Sequence, residues 1–251
     1  MFPRILAVSD IHANWDWFGW MSRHAHRFDL ICLGGDLCEI FTQRMTLGAQ
    51  RREVLRQIAL IAAPGIPIAV AEGNHDAVDP GWLRPAPGLD SVIWPGFSGE
   101  VAAGDRRLIL TVCPDTYFGS SDTDRVVGDL FRAGAEARDR EGLPWLVIHH
   151  EPPDATPICA GMAGSSALNH LVLGRRPDLV ICAHNHEAPF ENHLGGRWHC
   201  RIGPTLLVNA GQLRKRRWPC HLQIAGDTVT WRAPGHPREA LRIPWHNTPP
   251  A

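Results

Sequence analysis

The chain holds one lysine, Lys215, among 251 residues and takes the rest of its basic charge from arginine. A formal net charge of −1 leaves no global field to draw it to a nucleic acid or an anionic membrane. No apolar run approaches the roughly 20 residues needed to span a bilayer. Residues 1–8 lack the basic and then apolar pattern of a secretory leader. The cysteines (Cys32, Cys38, Cys113, Cys159, Cys182, Cys200 and Cys220) are odd in number and never spaced Cys-x-x-Cys. That pattern argues against a disulfide framework and for a reducing compartment. A soluble, cytoplasmic protein is expected. There is no G-x-x-x-x-G-K-[ST] loop, which excludes P-loop nucleotide hydrolysis. Neither Ser120-Ser121 nor Ser165-Ser166 sits in a nucleophile elbow, so serine hydrolysis is unsupported. No internal repeat or long linker divides the chain, and 44% apolar residues suffice for a sizeable core. One domain over residues 1–251 is expected, with its core at about 4–232 and an irregular tail at about 233–251.

What is present is a repeated design. Five apolar runs, each of strand length, end in side chains suited to binding a metal. Residues 5–8 lead into Ser9-Asp10-Ile11-His12, and residues 30–33 into Gly34-Gly35-Asp36. Residues 66–71 precede Gly73-Asn74-His75-Asp76, and residues 145–148 precede His149-His150-Glu151-Pro152-Pro153. Residues 179–182 open onto Ala183-His184-Asn185-His186. Helical spacing appears between them at 14–27, with Asn14 as N-cap, at 46–63, at 125–140 (broken or weakened near Gly134) and at 165–173. This alternation predicts largely parallel sheets with helices outside. Residues 77–106 read as a long loop with short strands, and short antiparallel strands follow residue 189.

The candidate ligands are Asp10, His12, Asp36, Asn74, one of His149 and His150, His184 and His186. Imidazole mixed with carboxylate and amide oxygen suits Mn, Fe, Zn, Ni or Co, and the lack of thiolates argues against a structural zinc finger. Seven ligands exceed what one ion with an open position can use. They suit two divalent ions sharing a carboxylate, and Asp36, alone in its loop, is the natural bridge.

In this order, Asp10-x-His12, Gly35-Asp36, Gly73-Asn74-His75-Asp76, His150 and Ala183-His184-x-His186 resemble the five motifs of the calcineurin-like metallophosphoesterases. Arg201-Ile202-Gly203 with Val208-Asn209-Ala210-Gly211 also resembles a small bacterial phosphodiesterase or phosphatase branch of the family, in which a similar hairpin follows the last motif. The resemblance implies a four-layer αββα sandwich, two mixed β-sheets flanked by helices. It implies one metal held by Asp10, His12, Asp36 and His186, and another by Asp36, Asn74, the motif-four histidine and His184. The family's H-x-P-P frame favours His150 over His149. The expected reaction is hydrolysis of a small phosphodiester or phosphomonoester by a metal-bridging hydroxide. His75 would protonate the leaving group, and Asp76 would either orient the His75 ring or cap the next turn. Ala183 replaces a glycine usual in the family. Leu37-Cys38-Glu39 replaces the Asp-Arg-Gly of the Ser/Thr protein phosphatases, which argues against that activity. The alternatives are a nuclease, for which Arg214-Lys215-Arg216-Arg217 is the only support, and a catalytically silent scaffold of the same fold. Nucleic acid is therefore an unexpected partner, and oligomeric state is unreadable. Of the ten tryptophans, Trp15, Trp145 and Trp231 are expected in the core, and Trp82 and Trp94 are candidates for lining a cleft.

Overall fold

The computed structural model describes residues 3–41, 44–79, 81–117, 121–162, 164–190 and 192–245. Strands β1 (Ile5–Val8), β2 (Leu30–Leu33) and β3 (Ile68–Val70) are buried at every position. Unbroken apolar runs of this kind belong in a parallel sheet covered on both faces. They pair in parallel, and β4 (Val92–Ile93) adds to β3 in the same sense. On the other side of β1 lie three antiparallel strands, β11 (His221–Ala225), β12 (Thr228–Arg232) and β13 (Glu239–Arg242). The seven-stranded order is β13-β12-β11-β1-β2-β3-β4.

The second sheet has six strands. Its middle, β6 (Arg106–Val112), β7 (Trp145–Ile148), β8 (Leu179–Cys182) and β10 (Thr205–Asn209), is parallel. Antiparallel β5 (Phe97–Ala103) and β9 (His199–Ile202) close its two edges.

Side chains alternate across each strand, so every central strand feeds two cores. Ile5, Ala7, Leu30 and Cys32 meet Leu110, Leu146, Ile148 and Ile181 between the sheets. Leu6, Val8, Ile31 and Leu33 point outward and pack on α1 (Trp15–His24) and α2 (Leu47–Ala62). Ile109, Trp145, Val147 and Val180 pack outward on α3 (Ser121–Glu141) and α4 (Ser166–Arg175). The result is the expected four-layer αββα arrangement. Asn14 caps α1, its Oδ1 accepting the Trp17 N–H at 3.4 Å, and Ser165 caps α4 through Leu168 N at 3.1 Å.

Four expectations change. Helix α3 runs unbroken through Gly134, because that glycine serves packing. A Cβ there would lie 2.6 Å from Trp145 Cε2. Residues 97–103, expected in a loop, form β5, whose hairpin with β6 turns at Gly104 (φ +62). Its weak signal has a cause, since only Val101 and Ala103 of the seven residues are buried. The expected irregular tail contains β13, an edge strand with little buried surface and hence no apolar alternation to read. Trp94 is buried in the outer core of the seven-stranded sheet, and Trp82 lies under the Arg51 guanidinium, its Nε1–H bonded to the Asp76 carbonyl at 2.9 Å. Neither tryptophan lines a cleft at the strand exits. Ser120 and residues 246–251 fall outside the described residues.

Candidate metal centre

Every candidate ligand sits just beyond the C-terminal end of a parallel strand, the usual location of sites in open α/β sheets. The loops leaving β1 and β2 continue side by side, with Asp10 N–H bonded to Gly35 O at 3.1 Å and His12 N–H to Asp36 O at 2.8 Å. Asp10, His12 and Asp36 hold φ of 53°, 47° and 53°, and His184 holds 65°. Residues with a Cβ rarely enter this left-handed region, although Asp, Asn and His do so more than most. Backbone strain is therefore concentrated on the ligands themselves. The loops also need room. A Cβ at Gly73 would lie 2.4 Å from the backbone N and Oδ1 of Asp36, so only glycine lets the third loop reach the second.

Two groups of ligand atoms result. Asp10, His12, Asp36 and His186 each place one ligand atom within 4.8 Å of the others. His12 Nε2 is 3.0 Å from His186 Nε2 and 3.5 Å from Asp36 Oδ2, and His186 Nε2 is 3.5 Å from Asp10 Oδ1. In the second group, Asn74 Oδ1 is 2.9 Å from His184 Nδ1 and 3.2 Å from His150 Nε2. His150 Nε2 also lies 3.5 Å from Asp36 Oδ1. Asp36 thus turns one oxygen to each group. His149 faces away, its Nδ1 2.7 Å from the Glu151 carbonyl, which leaves His150 as the motif-four residue at the cluster.

The donor set fits divalent cations. His150 Nδ1 lies 2.7 Å from the Gly34 carbonyl, which can only accept. The Nδ1 proton is fixed there, and Nε2 faces the oxygens of Asp36 and Asn74, where a bound cation would take the place of its proton. His12 and His184 turn Nε2 and Nδ1 toward the two groups, and their opposite nitrogens, the buried His12 Nδ1 and His184 Nε2, have no hydrogen-bond partner. Burial pushes the Asp10 carboxyl up, but the imidazoles of His186 and His150 more than offset it and hold it at about 2. Asp36 falls below the usual carboxylate range by the same balance, with His150 its main partner. Burial lowers His150, yet Asp36 and Asp10 hold it up at about 10, whereas burial takes His12 and His184 down to about 4. Two buried carboxylates hold positive charge on His150 and His186 beside them, so the pocket is one that stabilises cations.

A family model described as calcineurin-like phosphoesterase matches residues 3–188, an interval containing every residue of both groups. The chain belongs to that family. Solved structures share the phosphoesterase fold at low identity. TT1561 of Thermus thermophilus is 15% identical, with a TM-score of 0.61 over 96% of this chain and 99% of its own. A second solved structure is 14% identical, with a TM-score of 0.57 over 96% of this chain and all of that one. Vacuolar Protein Sorting 29 from Cryptosporidium parvum is more distant, at 9% identity and a TM-score of 0.45. No curated protein matches closely enough to count as a relative.

Around the phosphoesterase cluster, one expected role is corrected. Asp76 does not orient His75. Its carboxylate accepts the N–H groups of Leu37 and Cys38 at 3.1 Å and of Gly73 at 3.2 Å, tying the second and third loops together. Burial, then Asp36, pushes its pKa up to about 7, while the three amides pull it down. Every contact is a donor, as an ionised carboxylate requires. The carboxylate beside His75 is Glu39, whose Oε1 lies 3.5 Å from His75 Nδ1. Glu39 Oε2 is 3.7 Å from His12 Nδ1 and 3.9 Å from an Arg214 guanidinium nitrogen. His75 itself is anchored by its backbone N–H, which donates to Asp36 Oδ1 at 2.9 Å. Gln212 also escaped the sequence reading. Its backbone N–H bonds the His186 carbonyl at 2.8 Å and its side chain the Asp10 carbonyl, joining the first and last motifs. Asn209, in the hairpin noted above, donates to the carbonyls of Ala183 and Asn185 at 3.2 and 3.0 Å and so braces the last loop. It is the last residue of the buried strand β10, within the Val208-Asn209-Ala210-Gly211 segment.

Proposed function

We propose that this chain is a metal-dependent hydrolase of small phosphoesters. Asp10, His12, Asp36 and His186 would hold one divalent ion, and Asp36, Asn74, His150 and His184 a second. The observation that carries the reading is the placement of Asp36, one oxygen 3.5 Å from His12 Nε2 and the other 3.5 Å from His150 Nε2. Two such cations, when bound, lower the pKa of a coordinated water and neutralise charge on phosphoryl oxygens. Mn, Fe, Zn or Ni all suit this donor set.

The remaining work falls to the chain's own residues. His75 lines the cleft above the cluster, with its Nδ1 3.4 Å from the Ile40 N–H. Accepting that bond leaves the ring proton on Nε2, available to the departing alkoxide. When the ring carries a proton on both nitrogens, Glu39 Oε1, 3.5 Å from Nδ1, is the acceptor on that side, and Glu39 acts as a positioning residue. Arg214, at the mouth of the same cleft, can meet a non-bridging phosphoryl oxygen as a charge-assisted donor. Monoesters and diesters both fit this arrangement.

A polymer substrate draws no comparable support. Of the basic run, only Arg214 lines the cleft, and the Arg216 carbonyl is taken by Trp17 Nε1 at 2.8 Å. A silent scaffold would be expected to have lost ligands, and the set is complete. Among the described residues no helix is long and apolar enough to cross a membrane. The unpaired cysteines favour placing the protein in the cytoplasm.

The test is elemental analysis together with turnover of bis(4-nitrophenyl) phosphate and 4-nitrophenyl phosphate by manganese-loaded protein. Two ions per chain and hydrolysis of at least one ester are expected, both lost in Asp36→Ala. Native protein that takes up no divalent ion would overturn the reading.

A further inference from the structure

The cleft over the cluster has a volume of about 830 Å³, within the range of sites that enclose most of a small organic ligand. Its floor is polar, and its rim sets apolar side chains beside Glu187, His193 and Arg214. Phe41, Tyr117, Met162 and Leu194 are 81%, 47%, 48% and 54% exposed, and all four line this cleft. They are half of the eight exposed large apolar side chains among the described residues. Single exposed apolar residues need no explanation, but a set of them around a polar centre marks a binding surface.

Each is held where it stands. The Phe41 N–H donates to Glu39 Oε1 at 3.0 Å, and its ring meets the His75 ring edge-on at 5.2 Å. The Tyr117 ring lies 5.1 Å from that of His184. Met162 follows the turn Pro157–Cys159 and bonds back to the Cys159 carbonyl at 3.3 Å. Leu194 reaches over Gly161, its Cδ1 3.3 Å from where a Cβ would stand there. One aromatic ring therefore adjoins the proposed proton donor, and another adjoins a ligand of the second group.

We infer that the cleft takes phosphoesters whose organic part is a flat, apolar ring system, with aryl phosphates and aryl phosphodiesters as the chemical class. This rests on the phosphoester reading above. Cations and Arg214 would match the phosphoryl end, and the apolar walls match a ring that gains by leaving water and by edge or face contact with Phe41 and Tyr117. A sugar or glycerol ester would leave those walls wet. A nucleic-acid strand would call for a longer track of cations than Arg214 provides with Arg44 and Lys215 in the adjoining pocket.

The experiment keeps the leaving group constant and varies the other ester arm, comparing 4-nitrophenyl phenyl phosphate with 4-nitrophenyl methyl phosphate on manganese-loaded protein. The phenyl ester is expected to show about tenfold higher kcat/KM, from burial of one ring. In Phe41→Ser and in Met162→Ser/Leu194→Ser that ratio is expected to fall below about threefold. A ratio near one in the native protein, or a ratio untouched by either variant, overturns the inference. So does an unchanged ratio accompanied by loss of a dimer in light scattering, which would give the rim to self-association. Calorimetry with phenylphosphonate and methylphosphonate reads binding without turnover. A phenyl preference in protein that hydrolyses nothing upholds the apolar subsite and overturns the hydrolase reading. Equal binding of the two phosphonates overturns the subsite.

Discussion

Glu39 is the side chain whose neighbours say most about the chemistry. It stands between His75, His12 and Arg214, three groups that each gain from a nearby carboxylate. If it positions His75, Glu39→Gln will slow esters with poor, alkyl leaving groups by about tenfold and leave nitrophenyl esters nearly unaffected, since a good leaving group needs no proton. Equal losses on both substrates, tracking a loss of bound metal, would assign Glu39 to His12 instead. Asp76 shows how far a carboxylate's role depends on direction. Next to His75 in the chain, it spends its oxygens on the amides of Leu37, Cys38 and Gly73.

Helix α3 offers a comparison between two glycines that look alike in the sequence. A Cβ at Gly134 would lie 2.6 Å from Trp145 Cε2, whereas one at Gly128 would meet nothing within 4 Å. Gly128→Ala should stabilise the fold by about 0.5–1 kcal/mol, the ordinary helix gain. Gly134→Ala receives the same gain but must displace a fully buried tryptophan, and overpacking costs about 1–3 kcal/mol, so the net sign reverses. Urea unfolding of the two variants checks this, and parallel shifts in midpoint would refute it. The helix is thus continuous by packing at the very residue where propensity alone suggests a break.

For the whole molecule, the cluster is a clasp between two sheets. Asp10, His12, Asp36 and Asn74 leave the seven-stranded sheet, and His150, His184 and His186 leave the six-stranded one. Direct bonds already cross the junction, from His184 N–H to Asp10 Oδ1 at 3.0 Å and from His150 Nδ1 to the Gly34 carbonyl at 2.7 Å. Ions bound only by the folded chain stabilise it by mass action, by about 2.7 kcal/mol at a hundredfold excess over Kd. Stripping the protein with a chelator should therefore lower Tm by about 5–10 °C for a chain of this size. Readdition of manganese should restore it. An unchanged Tm, with metal loss confirmed by elemental analysis, would show that the clasp bears no load.

The sequence alone determined the parallel strands and the seven ligand-type groups at their ends. Apolar runs such as Leu30-Ile31-Cys32-Leu33 are local signals, and a strand's exit is fixed by where its run stops. It also placed Asn14 as a cap, because capping is settled within one turn of chain. Weakly patterned elements were not legible: β5 and β13 bury so little that their pairing is decided by the neighbouring strand. Nor was the surrounding network of the site, since Glu39 and His75 lie far apart in the chain and their contact exists only once the β2 and β3 loops lie together. The apolar rim follows the same logic. Phe41, Tyr117, Met162 and Leu194 share no local pattern, and only the closing of two sheets around one set of strand ends brings them to a single cleft.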